Sequence, residues 1–242
     1  MWQPKKRRGK MISIVTPWAK NTGLELLPDY IAATIGAELI LVDNGSDPET
    51  ALALQELPPD RGCVIRNETN LGFAAANNQG YAKATGDIII FLNSDIAGDP
   101  VWLKLVADDV KDGALYGPSL GVQLVYGLRL PYLEGWCVAA TRQTWERLNP
   151  IEYTDEPFDN DAPYWYEGPW DSVRYPGPYW EDNDLCLRAL QQDISLTQTQ
   201  WPVQHKGGRT AGALVKHGAT FEANRATFVS RAGQVWERMQ GR

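Results

Sequence analysis

Histidine is scarce in this 242-residue chain: His205 and His217 are the only two, which excludes a site built from several imidazoles. Cysteine is scarce as well. Cys63, Cys137 and Cys186 are widely spaced and contain no CxxC pair, so neither a zinc knuckle nor a disulfide framework is expected, and a reducing cytoplasm fits best. No apolar run approaches the roughly 20 residues that span a bilayer, and the basic start has no apolar h-region behind it. Also missing are a GxxxxGK[ST] loop, a GxGxxG after the first strand, a GxSxG elbow and an HExxH pair. Their absence removes P-loop kinases, Rossmann dehydrogenases, α/β-hydrolases and zincin proteases. There is no internal repeat.

What remains is a composition of 43% hydrophobic and 22% charged residues, ordinary for a folded globular chain. The net charge of −7 disfavours a general nucleic-acid coat. Charge is unevenly spread: "PKKRRGK" opens the chain, and residues 152–184 are rich in Asp and Glu. The basic run reads as a solvated tail over 1–10, with a phosphate-bearing acceptor, DNA or a lipid surface as alternative partners.

Strand-like and helix-like patterns alternate four times in the first 95 residues, which predicts a parallel sheet with crossover helices. "MISIVTP", "AELILVDNGSD", "CVIRN" and "GDIIIFLNSD" read as strands. Between them, "LELLPDYIAATIG" reads as a helix whose start Pro28 delays, "PETALALQEL" as a helix with Pro48 in its first turn, and "GFAAANNQGYAKATG" as one ended by Gly86. "VWLKLVADDV", "ATRQTWERL" and "WEDNDLCLRALQQ" are further helices, and "WPVQH" is a short strand. Residues 149–179 show no period and are loaded with Pro, Tyr, Trp, Asp and Glu, as expected of a functional loop. At the end, Phe221, Phe228, Ala232, Val235 and Met239 form one helical stripe, expected to dock on the body. The expected organisation is a tail over 1–10, an α/β half over 11–99, an acceptor-side half over 100–218 and a terminal helix over 219–242.

Three acid-bearing turns follow strands or open a helix: Asp43 in "LVDNGSD", Asp95 in "LNSD", and Glu181–Asp182 in "YWEDNDLC". Each alone can also be read as turn or capping chemistry. In this order, with "NLGFAAANNQG" between the first two, the set resembles glycosyltransferase family 2 over about residues 12–205. That resemblance implies the GT-A fold, a Rossmann-like, mostly parallel α/β sheet flanked by helices with a smaller mixed acceptor-side region. It also implies an inverting, metal-dependent transferase that uses a nucleotide-diphosphate sugar.

By resemblance, Asn93-Ser94-Asp95 stands where relatives carry a DxD motif. Asp95 would ligate Mn²⁺ or Mg²⁺, Asn93 would face the ribose or a metal-bound water, and His205 would complete the shell. Asp43 would accept from the base N–H, with Thr16 and Pro17 lining the same pocket; UDP-, GDP- and dTDP-sugars all remain open. Asn70 and Asn78 are donor contacts or local caps. A base is needed to take the acceptor proton; Asp182 is the first candidate and Glu181 the second, whereas Asp184 reads as structural. Glu134 and Trp136 fall on the acceptor side. The acceptor is expected to be a glycan or glycoconjugate hydroxyl, with a hydroxylated DNA base as the alternative. A sugar nucleotidyltransferase, or a binding module without turnover, are the competing classes; "TPWAKNTG" lacks the glycine-rich basic signature of the former.

Overall fold

The computed structural model describes residues 9–19, 24–149, 168–206 and 217–239, the last without the side chains of His217, Trp236, Arg238 and Met239. Most of the basic start and most of the 149–179 loop therefore lie outside the described residues. The chain runs β1 (Ile12–Trp18), α1 (Leu27–Ala33), β2 (Glu38–Asn44), α2 (Pro48–Gln55), β3 (Gly62–Asn67), α3 (Phe73–Tyr81), β4 (Ile88–Leu92) and β5 (Ile96–Gly98). It continues through α4 (Val101–Asp109), β6 (Ala114–Gly117), β7 (Leu120–Val125), β8 (Leu128–Leu133), β9 (Cys137–Thr141) and α5 (Arg142–Arg147). The last elements are α6 (Glu181–Gln191), β10 (Ser195–Gln198), β11 (Val203–His205) and α7 (His217–Met239).

A seven-stranded sheet in the order β10-β6-β9-β4-β1-β2-β3 forms the core. The pairs among β1 to β4, and β10 with β6, are parallel; β9 runs antiparallel to both β4 and β6. Strand β4 shows why its sequence is apolar throughout. Ile88, Ile90 and Leu92 pack into the core on one face, Ile89 and Phe91 into the core on the other, and all are at most 1% exposed. A strand covered on both sides has no reason to alternate. Because β9, from the second half of the chain, lies beside β4, the sheet continues across the middle of the sequence.

Local chemistry accounts for the element ends. Leu24–Leu26 form a 3₁₀ turn and α1 begins at Leu27, so Pro28 falls in the first turn, where its missing N–H costs nothing. Asp47 caps α2 by accepting from Thr50 N at 3.0 Å. The third helix departs from expectation: α3 ends at Tyr81, not at Gly86. Lys83 and Ala84 N–H groups both turn back to the Gly80 carbonyl, closing the helix early. Gly86 serves instead where the chain crosses β1, since a Cβ there would lie 2.7 Å from Ser13 N.

Helix α7 docks through Phe228 and Ala232, 1% and 2% exposed, against Tyr175, Trp180 and Leu187, with Phe221 and Val235 at the margin. Burying a phenylalanine of this kind contributes about 2–3 kcal/mol. Met239, the end of the expected stripe, lies outside the described side chains. The contact is also polar: Arg231 Nε donates to Asp184 Oδ1 at 2.7 Å, and Asn224 Nδ2 donates to Tyr179 O at 3.0 Å. No described helix is long and apolar enough to cross a membrane.

Candidate active site

The carboxyl ends of the parallel strands open onto a cavity of about 500 Å³, the place where α/β sheets hold ligands. Where β4 stops, Asn93 N donates to Trp136 O at 2.8 Å, joining the strand end to the turn before β9. Strands β5 and β11 then pair antiparallel, Ile96 opposite His205, and Lys206 N donates to Asp95 O at 2.8 Å. The short ladder brings His205 Nε2 to 3.0 Å from Asp95 Oδ1 and 3.2 Å from Asn93 Nδ2. Trp136 stacks face to face on the His205 ring, centroids 5.2 Å apart and planes 2° apart, which fixes the imidazole plane.

Among the described residues no three His, Cys, Asp or Glu side chains gather at one point. A cation here would take one carboxylate and one imidazole and draw its other ligands from elsewhere. That donor set fits a hard divalent ion, the nitrogen favouring Mn²⁺ over Mg²⁺.

The start of α6 lines the same cavity. Tyr179 and Trp180 both have left-handed backbones, φ 77° and 74°, which costs bulky side chains of order 1–3 kcal/mol each. Asn224 and the aromatic contacts of Trp180 with Phe221 and Phe228 hold the turn closed. Gly72, φ +91°, lets the neighbouring loop approach, since a Cβ there would meet Pro176 O at 2.2 Å.

The turn delivers two adjacent acids with different surroundings. Asp182 accepts from Gly135 N at 3.0 Å and Asn183 N at 2.8 Å, yet burial, helped by the Glu134 charge, pushes its carboxyl up to about 6. Burial, then the Asp182 charge, holds Glu181 well above the usual carboxylate range, and its Oε2 is buried with no hydrogen-bond partner among the described residues. Asp184, one turn on, is fully buried. It pairs with Arg188 at 2.8 Å and Arg231 at 2.7 Å, which keep its carboxyl below the usual range despite burial.

Of the residues singled out from sequence, Pro17, Asn70, Asn93, Glu134, Trp136, Glu181, Asp182 and His205 line the cavity; Asp95 does not line it but pairs with His205. Thr16, Asp43 and Asn78 do not line it. Thr16 Oγ1 and Tyr30 OH share a fully buried hydrogen bond of 2.7 Å. Asn78 Nδ2 donates to Trp170 O at 2.7 Å and Asn78 Oδ1 accepts from Trp170 N at 3.1 Å, stapling α3 to the segment before α6. Asp43 is 1% exposed: Oδ1 accepts from Ser46 N at 3.0 Å, and Oδ2 is ion-paired with Arg66, which covers it. Sequence reading passed over Trp180, Tyr132, Gln123 and the lining role of Phe221. The one available signal was the position of Trp180, directly before the acidic pair.

The sequence model of glycosyl transferase family 2 matches residues 19–157, more than half of the chain. The chain belongs to this family. Among curated relatives, the undecaprenyl-phosphate 4-deoxy-4-formamido-L-arabinose transferase of Klebsiella pneumoniae is 32% identical over 114 residues, covering 43% of this chain and 35% of the relative. An uncharacterised glycosyltransferase of Nostoc is 27% identical over 146 residues, covering 48% and 45%. The chain thus spans less than half the length of these relatives. Among solved structures, the glucosyl-3-phosphoglycerate synthase of Mycobacterium tuberculosis, in complex with Mn²⁺, UDP and phosphoglyceric acid, superposes with a TM-score of 0.59 at 19% identity, covering 93% of this chain and 79% of that one. A mannosyltransferase of Pyrobaculum calidifontis, in complex with GDP-mannose and Mn²⁺, gives 0.55 at 17% identity, covering 90% and 65%. The fold of this chain is therefore GT-A.

Proposed function

We propose that the chain transfers a sugar from a nucleotide-diphosphate donor to a hydroxyl of a glycan or glycoconjugate, with inversion at the anomeric carbon and with Mn²⁺ or Mg²⁺. The observation that carries this reading is that one cavity is lined by Asn93, by His205 paired with Asp95, and by the Asp182 carboxyl. Asp95 and His205 would hold a divalent ion, whose positive charge would stabilise the departing diphosphate without proton transfer.

The chain's own residues do the rest. Pro17, Asn44 and Asn70 hold the nucleoside end; Asn70 is fixed because its Oδ1 accepts from Asn44 Nδ2 at 3.0 Å and Gly72 N at 2.9 Å. Asp43 acts on the base through, or together with, the Arg66 that covers it, while Thr16 and Asn78 brace the walls. Asp182 takes the proton of the attacking hydroxyl as the bond to the anomeric carbon forms. Its proton affinity, centred near pH 6, leaves it ionised at neutral pH and still basic enough to accept. Glu134 and Trp136 shape the acceptor side.

The test is nucleoside diphosphate release from UDP-, GDP- and dTDP-sugars with Mn²⁺ and with a chelator. Metal-dependent release from one of them, with a product of opposite anomeric configuration, is expected. Equal release in chelator would refute the metal role, and a retained configuration would refute inversion.

A further inference from the structure

Asp182, the base in the transferase reading on which this inference rests, follows a turn that is held from α7. Residues along α7 meet the segment that leads into α6 in sequence order. Gly177 passes so close to the helix that a Cβ on it would lie 2.2 Å from Thr220 Cγ2. Phe221 meets the rings of Tyr179 and Trp180 at 5.5 Å in each case, and Phe228 meets Trp180 at 5.4 Å. Arg231 Nε then donates to Asp184 Oδ1 at 2.7 Å. Glu181 and Asp182 lie in sequence between these anchors.

Asn224 is the centre of that contact. It is 3% exposed, and its side-chain nitrogen faces three consecutive carbonyls: Gly177 O at 3.4 Å, Pro178 O at 3.3 Å and Tyr179 O at 3.0 Å. Carbonyl oxygens aimed at one buried point need a donor there, and an amide NH₂ is one. Tyr179 and Trp180 are left-handed, a conformation that local propensity opposes, and Trp180 gives α6 no side-chain cap. The first bond of α6, from Asp184 N to Trp180 O at 3.0 Å, therefore takes its place from the turn and not from the helix's own cap. Without the amide the turn relaxes, and Asp182 moves with it.

We propose that Asn224 is a positioning residue for transfer: its amide fixes the 177–180 turn, and with it the place at which Asp182 meets the acceptor hydroxyl. Glu134 and Glu181 are the acids beside Asp182, and Tyr132 and Cys186 also feel its charge. None of these belongs to α7, and Arg231 of α7 is paired with Asp184. Asn224 is uncharged, so replacing it reaches Asp182 through the position of the turn.

The experiment titrates the Asp182 carboxyl by NMR in protein carrying ¹³C-labelled aspartate, with its signal assigned from Asp182→Asn. Wild type should titrate at about 6. Asn224→Leu, similar in volume but without a donor, should move the midpoint toward the ordinary value of about 4, because burial is the largest cause of the elevation. Asn224→Gln keeps the amide and should recover most of that shift. Asn224→Ser should fall between the two, and it carries the test if Asn224→Leu does not fold. The second readout is nucleoside diphosphate release from UDP-glucose, GDP-mannose and dTDP-glucose with Mn²⁺, water being the acceptor. With the donor that wild type uses, Asn224→Leu should lower kcat about 10²-fold and leave the donor KM within about twofold. Ala232→Gly weakens the α7 helix but involves none of the hydrogen bonds to the turn, and should leave midpoint and kcat at wild-type values. An unchanged midpoint and kcat in Asn224→Leu, or equal changes in Ala232→Gly, would overturn the positioning role. A midpoint that responds as expected, in a protein that releases diphosphate from no donor, would overturn the transferase reading and leave the anchoring of Asp182 standing.

Discussion

Replacing Asp182 with Asn should slow transfer severely and yet stabilise the protein at alkaline pH. An unfolded Asp ionises near 3.9, whereas folded Asp182 keeps its proton up to about 6. Between those values the folded chain binds more protons than the unfolded one, so this group lowers stability progressively as pH rises from about 4 to about 6, and by a constant amount above. Two units correspond to about 3 kcal/mol; because Asp182 opens onto the cavity, solvent screening trims this to roughly 2 kcal/mol. Asn keeps one oxygen to accept from Gly135 N or Asn183 N, and its NH₂ must then face the other donor, a loss of roughly 1 kcal/mol. The net expectation is a gain of roughly 1 kcal/mol at pH 8, or about 2–4 °C in a chain of this size, turning into a loss at pH 4. Thermal unfolding of wild type and Asp182→Asn at both pH values reads this, alongside kcat/KM, which should fall by about 10²–10⁴. A variant less stable than wild type at pH 8, or one with near-normal turnover, would refute the assignment of Asp182 as a destabilised base.

Asp95→Ala should remove metal-dependent turnover with an unchanged circular dichroism spectrum, and Mn²⁺ titration should show weakened binding; full activity would place the cation elsewhere. Arg66→Ala uncovers an otherwise sealed Asp43 and should cost about 1–3 kcal/mol in urea unfolding. It should also change the ranking of UDP, GDP and dTDP affinities; an unchanged ranking would mean that the base is read by other groups. Asp184→Ala strands Arg188 and Arg231 and should cost about 3–5 kcal/mol. Because the folded Asp184 carboxyl is depressed, its contribution is full above pH 4 and is lost as pH falls through its folded value, so the gap between wild type and variant should narrow in acid.

The sheet was legible because its strands are covered on both faces: "IIIFL" can be little else than a central strand, and β4 lies between β1 and β9. The acidic pair at the start of α6 and the ends of β2 and β4 were legible as turn chemistry after apolar runs. The pairing of β5 with β11 was not, although it is what carries His205 to Asp95, since three-residue strands have no periodicity to read. Nor was β10, whose four residues are all at least partly exposed. The cover of Arg66 over Asp43 depends on parallel register between β2 and β3, which places Asp43 opposite Arg66 across 23 residues of sequence. Trp180 escaped notice because a left-handed tryptophan is held by tertiary contacts alone; local propensity opposes it.

The most direct test of the central claim is a thermal-shift panel of UDP-, GDP- and dTDP-sugars, each with and without Mn²⁺. A ligand that binds only the native state raises its apparent stability. Stabilisation by one donor only when Mn²⁺ is present is the predicted result. Stabilisation that ignores the metal, or none by any donor at millimolar concentration, would contradict it.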